Sequence, residues 1–345
     1  FVVSLMMAHC ALVLGVPFTN FVDTFLGPIM ALLLFRGIGE RRARPIALVI
    51  HAFMFANSAI GLYEFLSGNR LVPFWLVGRI VDFDWRSTAL LGHPLSNASI
   101  TGSYCIILLL GGGRDLPRLA RAICLVMGST SMVTFGGRAA TLMLLASIVL
   151  VALQRLHAYL RGRHFNLTAL MIGMLMLPVA AVMLLALAET GFFGRFIERF
   201  IDDQGSAEAR LGMFELLFRF SVADLLFAPD ARHVETLQFH LGLEHGIESL
   251  WISFILFYGL LPSLVFFAAM FPFFRDIVRS ARSEAAWVML FFIAVASTSV
   301  SLYGKGPQFS ILVIHILVLL RRTPPAGSGT VVAESGSPPT RLNVS

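Results

Sequence analysis

A chain of 345 residues is long enough for one large soluble domain or two ordinary ones, but 57% of it is hydrophobic and only 13% is charged, with a mean hydropathy of +0.82. Too few charges are present to cover a water-facing surface of that size, so a soluble globular fold is excluded and lipid is the expected solvent. The formal charge of +6 reflects where Arg is placed, since every basic residue except Lys305 is Arg; no basic stripe interleaves with aromatics, so no nucleic-acid partner is expected.

A membrane span needs about 20 mainly apolar residues. The first candidate, Val2 to Val16, has no basic stretch ahead of it and reads as a span rather than a cleaved signal peptide. Because the chain opens on Phe1 inside this segment, native N-terminal residues, whole helices included, are expected ahead of it. Phe21 to Phe35 and Ile46 to Leu66 follow, then a polar stretch from Ser67 to Asn97. Ala98 to Leu110 and Ala122 to Phe135 are the least regular segments, since each extends only through Gly or Ser. Ala139 to Leu153 and Leu167 to Ala188 precede a long polar segment, Glu189 to Glu248. Ser249 to Phe274, Ala285 to Leu302 and Pro307 to Leu320 complete the apolar set. The remaining Pro-, Gly- and Ser-rich tail, Thr323 to Ser345, has a disordered composition. Cys10, Cys105 and Cys124 all sit in apolar stretches, where a thiol acts as a small hydrophobe rather than a disulfide or metal ligand.

The pattern predicts an all-α polytopic membrane protein of about ten transmembrane helices. Helices one to seven occupy residues 1–188, an extracytoplasmic loop 189–248, helices eight to ten 249–320, and a cytoplasmic tail 321–345. Arg placement sets the orientation. Arg36, Arg41, Arg42 and Arg44, then Arg114, Arg118 and Arg121, then Arg155, Arg161 and Arg163, then Arg275, Arg279 and Arg282, and finally Arg321 and Arg322 all fall on one side, the cytoplasmic one. Turns at Gly136-Gly137 and around Gly304 to Gly306 fall on the outer side with the two polar segments. Within the longer of these, Gly205 and Ser206 open a helix with Glu208 in its first turn. Its face of Leu211, Phe214, Leu217, Phe218 and Leu225 predicts an amphipathic helix along the membrane surface. The Gly111 to Gly113 run lacks the Lys of a phosphate loop and reads as a helix end.

Ionisable groups at the outer face carry the candidate chemistry, because desolvated charge is costly unless paired or used. Arg138, between two apolar spans, is either an interfacial side chain snorkelling to water or a guanidinium fixed for a phosphate. Arg210 either pairs with Glu208 or Asp203 in a solvated bridge or serves the same anion. His245, with Glu244 and Glu248 near enough to orient its imidazole, is a candidate general base. Arg86 and His93, in a polar cluster with Asp82 and Asp84, and Lys305 on the same side, are candidate substrate-binding groups together with Glu248. His233, His240 and His245 lack the spacing of a helical metal motif, so no metal is expected. A Ser/His/Asp hydrolase lacks its nucleophile elbow.

Three local matches and their order resemble the Wzy/WaaL superfamily of O-antigen polymerases and ligases, most closely its exopolysaccharide polymerases. Gly-Gly-Arg138-Ala-Ala is similar to that family's Ser-Arg-Gly-Ala element, Arg210 ahead of Phe214 to its loop Arg before an aromatic, and His245 with Leu250 and Gly259 to its His-Asn-x-x-Leu element. Gly136 and Gly137 stand where the family has Ser, and Gly246 where it has Asn. The resemblance implies a metal-independent inverting glycosyltransferase of the bacterial inner membrane, without cofactors, acting at the periplasmic face. It would move a glycan from a polyprenyl diphosphate carrier to an acceptor sugar hydroxyl, beside a flippase and a chain-length regulator. His245, Arg210 and Arg138 would be catalytic. A ligase delivering the glycan to lipid or protein is the alternative within the family, and a transporter or flippase of the same lipid the alternative outside it.

Overall fold

The computed structural model describes residues 1–15, 18–76, 79–81, 86–162, isolated positions between 171 and 189, 206–243, 246–298, 302 and 305–322, with backbone only at 76, 79 and 206–210. Asp82, Asp84, Glu244, His245, most of the segment expected to span from Leu167 to Ala188, and the tail from Thr323 lie outside the described residues. Of that segment, Met171, Met174, Val182 and Leu185 are helical and exposed.

The described chain is helical apart from a two-residue ladder pairing Trp75–Leu76 with Arg79–Ile80. The helices are α1 (Val2–Leu14), α2 (Thr19–Phe35), α3 (Glu40–Ser67), α4 (Pro94–Leu109), α5 (Arg118–Thr134) and α6 (Arg138–Leu160). They continue with α7 (Ser206–Phe218), α8 (Val222–Phe227), α9 (Ala231–His240), α10 (Leu250–Tyr258), α11 (Leu260–Ser280), α12 (Ala285–Thr298) and α13 (Gln308–Leu319). Among them α3, α6 and α11, of 28, 23 and 21 residues, are long and apolar enough to cross a membrane. The helices α1, α2, α4, α12 and α13 are apolar but shorter.

Consecutive long helices run in alternate directions, and bonds between their ends define two faces of the array. At one face, Arg282 donates to the carbonyls of Leu110 and Gly111, Arg155 to that of Leu109 at 2.9 Å, and the Gly113 amide to Leu319 at 3.1 Å. At the other, Gln308 Nε2 donates to Ser96 Oγ at 2.7 Å, the Ser87 amide to the Thr134 carbonyl, and Trp251 Nε1 to Ser297 Oγ. The Arg clusters therefore collect at one end, as lipid requires of charge.

Helix α4 is the centre of the array, with nearly all of its residues buried. The Gly and Ser residues that made this segment and the next look irregular are its packing surface. A Cβ on Gly102 would lie 2.6 Å from Phe291 Cζ, and one on Gly128 2.7 Å from Cys105 Sγ. In lipid, where apolar burial contributes no driving force between helices, close backbone approach through small residues supplies the cohesion. The three cysteines are buried and free.

The apolar run from Ser249 to Phe274, expected as a single span, is two helices. Gly259 breaks it with φ of +88°, and a Cβ there would lie 2.7 Å from the Ala228 nitrogen and the Phe227 carbonyl carbon. The nine-residue α10 is consequently wedged between two cores. Leu250, Phe254 and Tyr258 face the main core, where Phe254 and Tyr258 contact Phe21 of α2. Ile252 and Leu256 face a smaller core built with Met213, Leu216, Val234 and Leu243 of the α7–α9 segment. The four-residue spacing within each set explains how one short helix serves both.

The expected amphipathic face of α7 is also corrected. Met213 and Leu216 are buried, Leu211, Phe214 and Phe218 are exposed, and Leu225 belongs to the separate α8. The helix is apolar on two sides because it packs on a core with one and leaves the other uncovered.

Candidate functional site

The polar segment after α3 is anchored by a residue the sequence did not single out. Glu64, in the last turns of α3 and 3% exposed, accepts bonds from the amides of Leu71, Val72, Thr88 and Ala89 at 2.9–3.2 Å and from the Ser87 hydroxyl. Asn57, about two turns deeper on the same helix, accepts from the Leu90 amide at 3.0 Å. A buried carboxylate with this many donors is satisfied and holds the segment on the helix ends. His93 acts within that platform. It caps α4, its Nδ1 accepting from the Leu95 amide at 3.2 Å, and its ring meets Phe74 edge-on.

On the same face a cavity of about 470 Å³ opens between the start of α6, the middle of α7, the start of α10 and the end of α12. Arg138, Phe214, Glu248, Ser249, Ser297 and Thr298 are among its walls. The α5–α6 turn explains the placing of Arg138. Gly136 takes φ of +65°, and a Cβ on Gly137 would lie 2.5 Å from that of Ala98. The two glycines thus let the turn close against α4 and present Arg138 as the first residue of α6.

Neither α6 nor α10 has a side-chain cap. Two helix N-termini without side-chain caps, each the positive end of its dipole, therefore end at the cavity beside a guanidinium. Such an arrangement favours an anion. Glu248 adds a carboxylate and Ser249, Ser297 and Thr298 add hydroxyls, while Leu142, Met213 and Ile252 make the remaining wall apolar.

Of the expected site residues, the structure brings Arg138 and Glu248 together in this cavity. The Arg210 backbone lies one turn of α7 before Phe214, and its side chain is outside the described residues, as is His245, three positions before Glu248. Arg86 neighbours Ser87, whose amide bonds Thr134 just ahead of the Arg138 turn, but it is not part of the cavity wall. Lys305, exposed on the same face, pairs with Asp23 at 3.8 Å and also lies outside the wall. Ser249, Ser297 and Thr298 escaped the sequence reading. Their signal, small polar residues at the ends of apolar runs, is a common one. No protein-family profile, curated protein or solved structure matches the chain.

Proposed function

We propose that the chain is a multi-pass protein of the bacterial inner membrane, with about ten spans, that polymerises polysaccharide at the periplasmic face in the manner of the Wzy/WaaL superfamily. Supporting the span count, the last turns of α6 lie at the Arg-rich face and the middle of α7 lines the cavity of the opposite face. The Arg-rich face is the cytoplasmic one under this reading.

One observation carries the functional reading: Arg138 and the uncapped starts of α6 and α10 share one partly apolar cavity with Glu248, on the face away from the Arg clusters. A polyprenyl diphosphate donor matches it, with the diphosphate at Arg138 and the helix N-termini and the isoprenoid along uncovered apolar surface such as Leu211, Phe214 and Leu142. In the reaction, the acceptor hydroxyl oxygen attacks the anomeric carbon as the bond to the diphosphate oxygen breaks. His245 takes the hydroxyl proton, with Glu248 holding the imidazole. The leaving diphosphate gains a negative charge, which Arg138, Arg210 and the two dipoles offset. Anomeric configuration inverts because a single displacement occurs.

The test is purified protein in bilayer discs with lipid-linked oligosaccharide. Polymer should form and be lost in Arg138→Ala, Arg210→Ala and His245→Ala, each checked for retained helix content. Full polymerisation by any of the three removes its assigned role, transfer to a lipid or protein acceptor alone makes the chain a ligase, and lipid flux without any product makes it a transporter.

A further inference from the structure

The Arg-rich face carries a second cavity, of about 600 Å³, formed where α2, α11 and α13 end and α3 begins. Arg36, Arg114, Arg279, Arg282, Arg321 and Arg322 all line it, with Glu40 the one carboxylate in its wall. Three of the six are committed to the fold. Arg282 bonds the carbonyls ending α4 and pairs with Glu284, Arg321 holds Asp115 through two bonds of 2.7 and 2.8 Å, and Arg322 Nε donates to the Ala281 carbonyl at 2.6 Å. Asp115 and Glu284 offset two charges and Glu40 a third, so three remain uncompensated. Arg36, Arg114 and Arg279, from three separate segments, have no partner among the described residues.

Helices ending in lipid always gather Arg, but dispersed Arg does not enclose a concavity. Arg41, Arg42 and Arg44 stand at the same face and are exposed, but are not part of this wall. The enclosed set instead converges planar forks whose geometry matches the oxygens of a phosphate. The flanks are apolar: Leu33 and Leu34, next to Arg36 on α2, and Phe271, two turns before Arg279 on α11, are strongly exposed. A phosphate in the cavity could thus be attached to acyl chains lying on α2 and α11, and a basic pocket between helices at this depth is the arrangement that binds anionic headgroups.

We propose that this cavity is a specific site for the phosphodiester headgroup of an anionic phospholipid, separate from the chemistry of the opposite face. The probe is diphosphatidylglycerol titrated into phosphatidylcholine discs holding the full chain, read as lipid retained by the protein and as the shift of its unfolding midpoint. The expected result is saturable binding that weakens by about tenfold or more in Arg36→Gln/Arg114→Gln/Arg279→Gln and stays unchanged in Arg41→Gln/Arg42→Gln/Arg44→Gln, which removes as many charges from the same face. Lys at the first three positions keeps the charge and should still weaken binding, because the bidentate fork is lost. Equal loss in both Gln variants would make the attraction diffuse and overturn the site. Displacement by millimolar inorganic phosphate, or a shift produced by phosphate without lipid, would overturn the lipid as its occupant.

Discussion

Replacing Glu64 with Gln tests how the platform after α3 is held. The carboxylate shares five donors between two oxygens: Leu71 and Val72 on Oε1, and Ser87, Thr88 and Ala89 on Oε2. An amide keeps only one acceptor. Its best orientation turns the NH₂ toward Leu71 and Val72, leaving two half-buried amides facing a donor and the other three bonds without their charge assistance. Losing two charge-assisted bonds at about 1.5–3 kcal/mol each, with partial relaxation toward water, costs about 3–5 kcal/mol. The unfolding midpoint in detergent should fall by on the order of 10 °C, and hydrogen exchange should rise first at Leu71, Val72, Thr88 and Ala89. A variant that melts with wild type and keeps those four amides protected would refute the anchoring argument.

Asp115 gives a pH dependence of defined sign. Burial raises its carboxyl, but Arg321 outweighs this and holds it below the ordinary carboxylate range. The depressed value means the stabilisation is complete above about pH 4 and is lost as acid titrates the folded group; Asp115→Asn should abolish that acid-dependent part, measured as midpoint against pH. Gly259→Ala combines a positive φ with backbone collisions at Ala228 and Phe227, so a loss of about 2–4 kcal/mol is expected, read by thermal unfolding. Arg138→Lys keeps the charge but not the fork and should lower polymer formation by about 10²-fold with helix content unchanged, checked by product gels. His245→Ala should remove the acidic limb from the rate–pH profile of the residual activity, because a general base is lost on protonation, whereas a purely structural His would leave its shape intact.

Helix placement and the gathering of Arg at one end were legible because lipid imposes them: uncharged runs must be helical and charge must leave the hydrocarbon. Arg36, Arg114 and Arg279, far apart in sequence, were expected on one side and line one cavity. The break at Gly259 was not legible, since an apolar run has the same composition whether straight or bent. The small residues of α4 looked like weak helix because propensity is local, whereas their use lies in the approach of Phe291 and Met132. Glu64 resembled any charge near a helix end; its role depends on a chain segment that returns only at Ser87. For the cavity lined by Arg138 and Glu248, these two residues were visible as charges beside lipid, but the two uncapped helix starts emerge only when α6 and α10 are brought together.

The stitching at the Arg-rich end has a bearing on biogenesis. Ala281 bridges to Arg321, the Arg282 amide donates to the Leu320 carbonyl, and Gly113 to Leu319, so two distant segments are tied by the residues that end and follow α13. Synthesis runs from the N-terminus, so Asp115 and Ala281 wait for their partner until Arg321 has been made. A chain cut before Leu319 therefore leaves Gly113, Asp115 and Ala281 without these partners, so the seam between their segments stays unclasped.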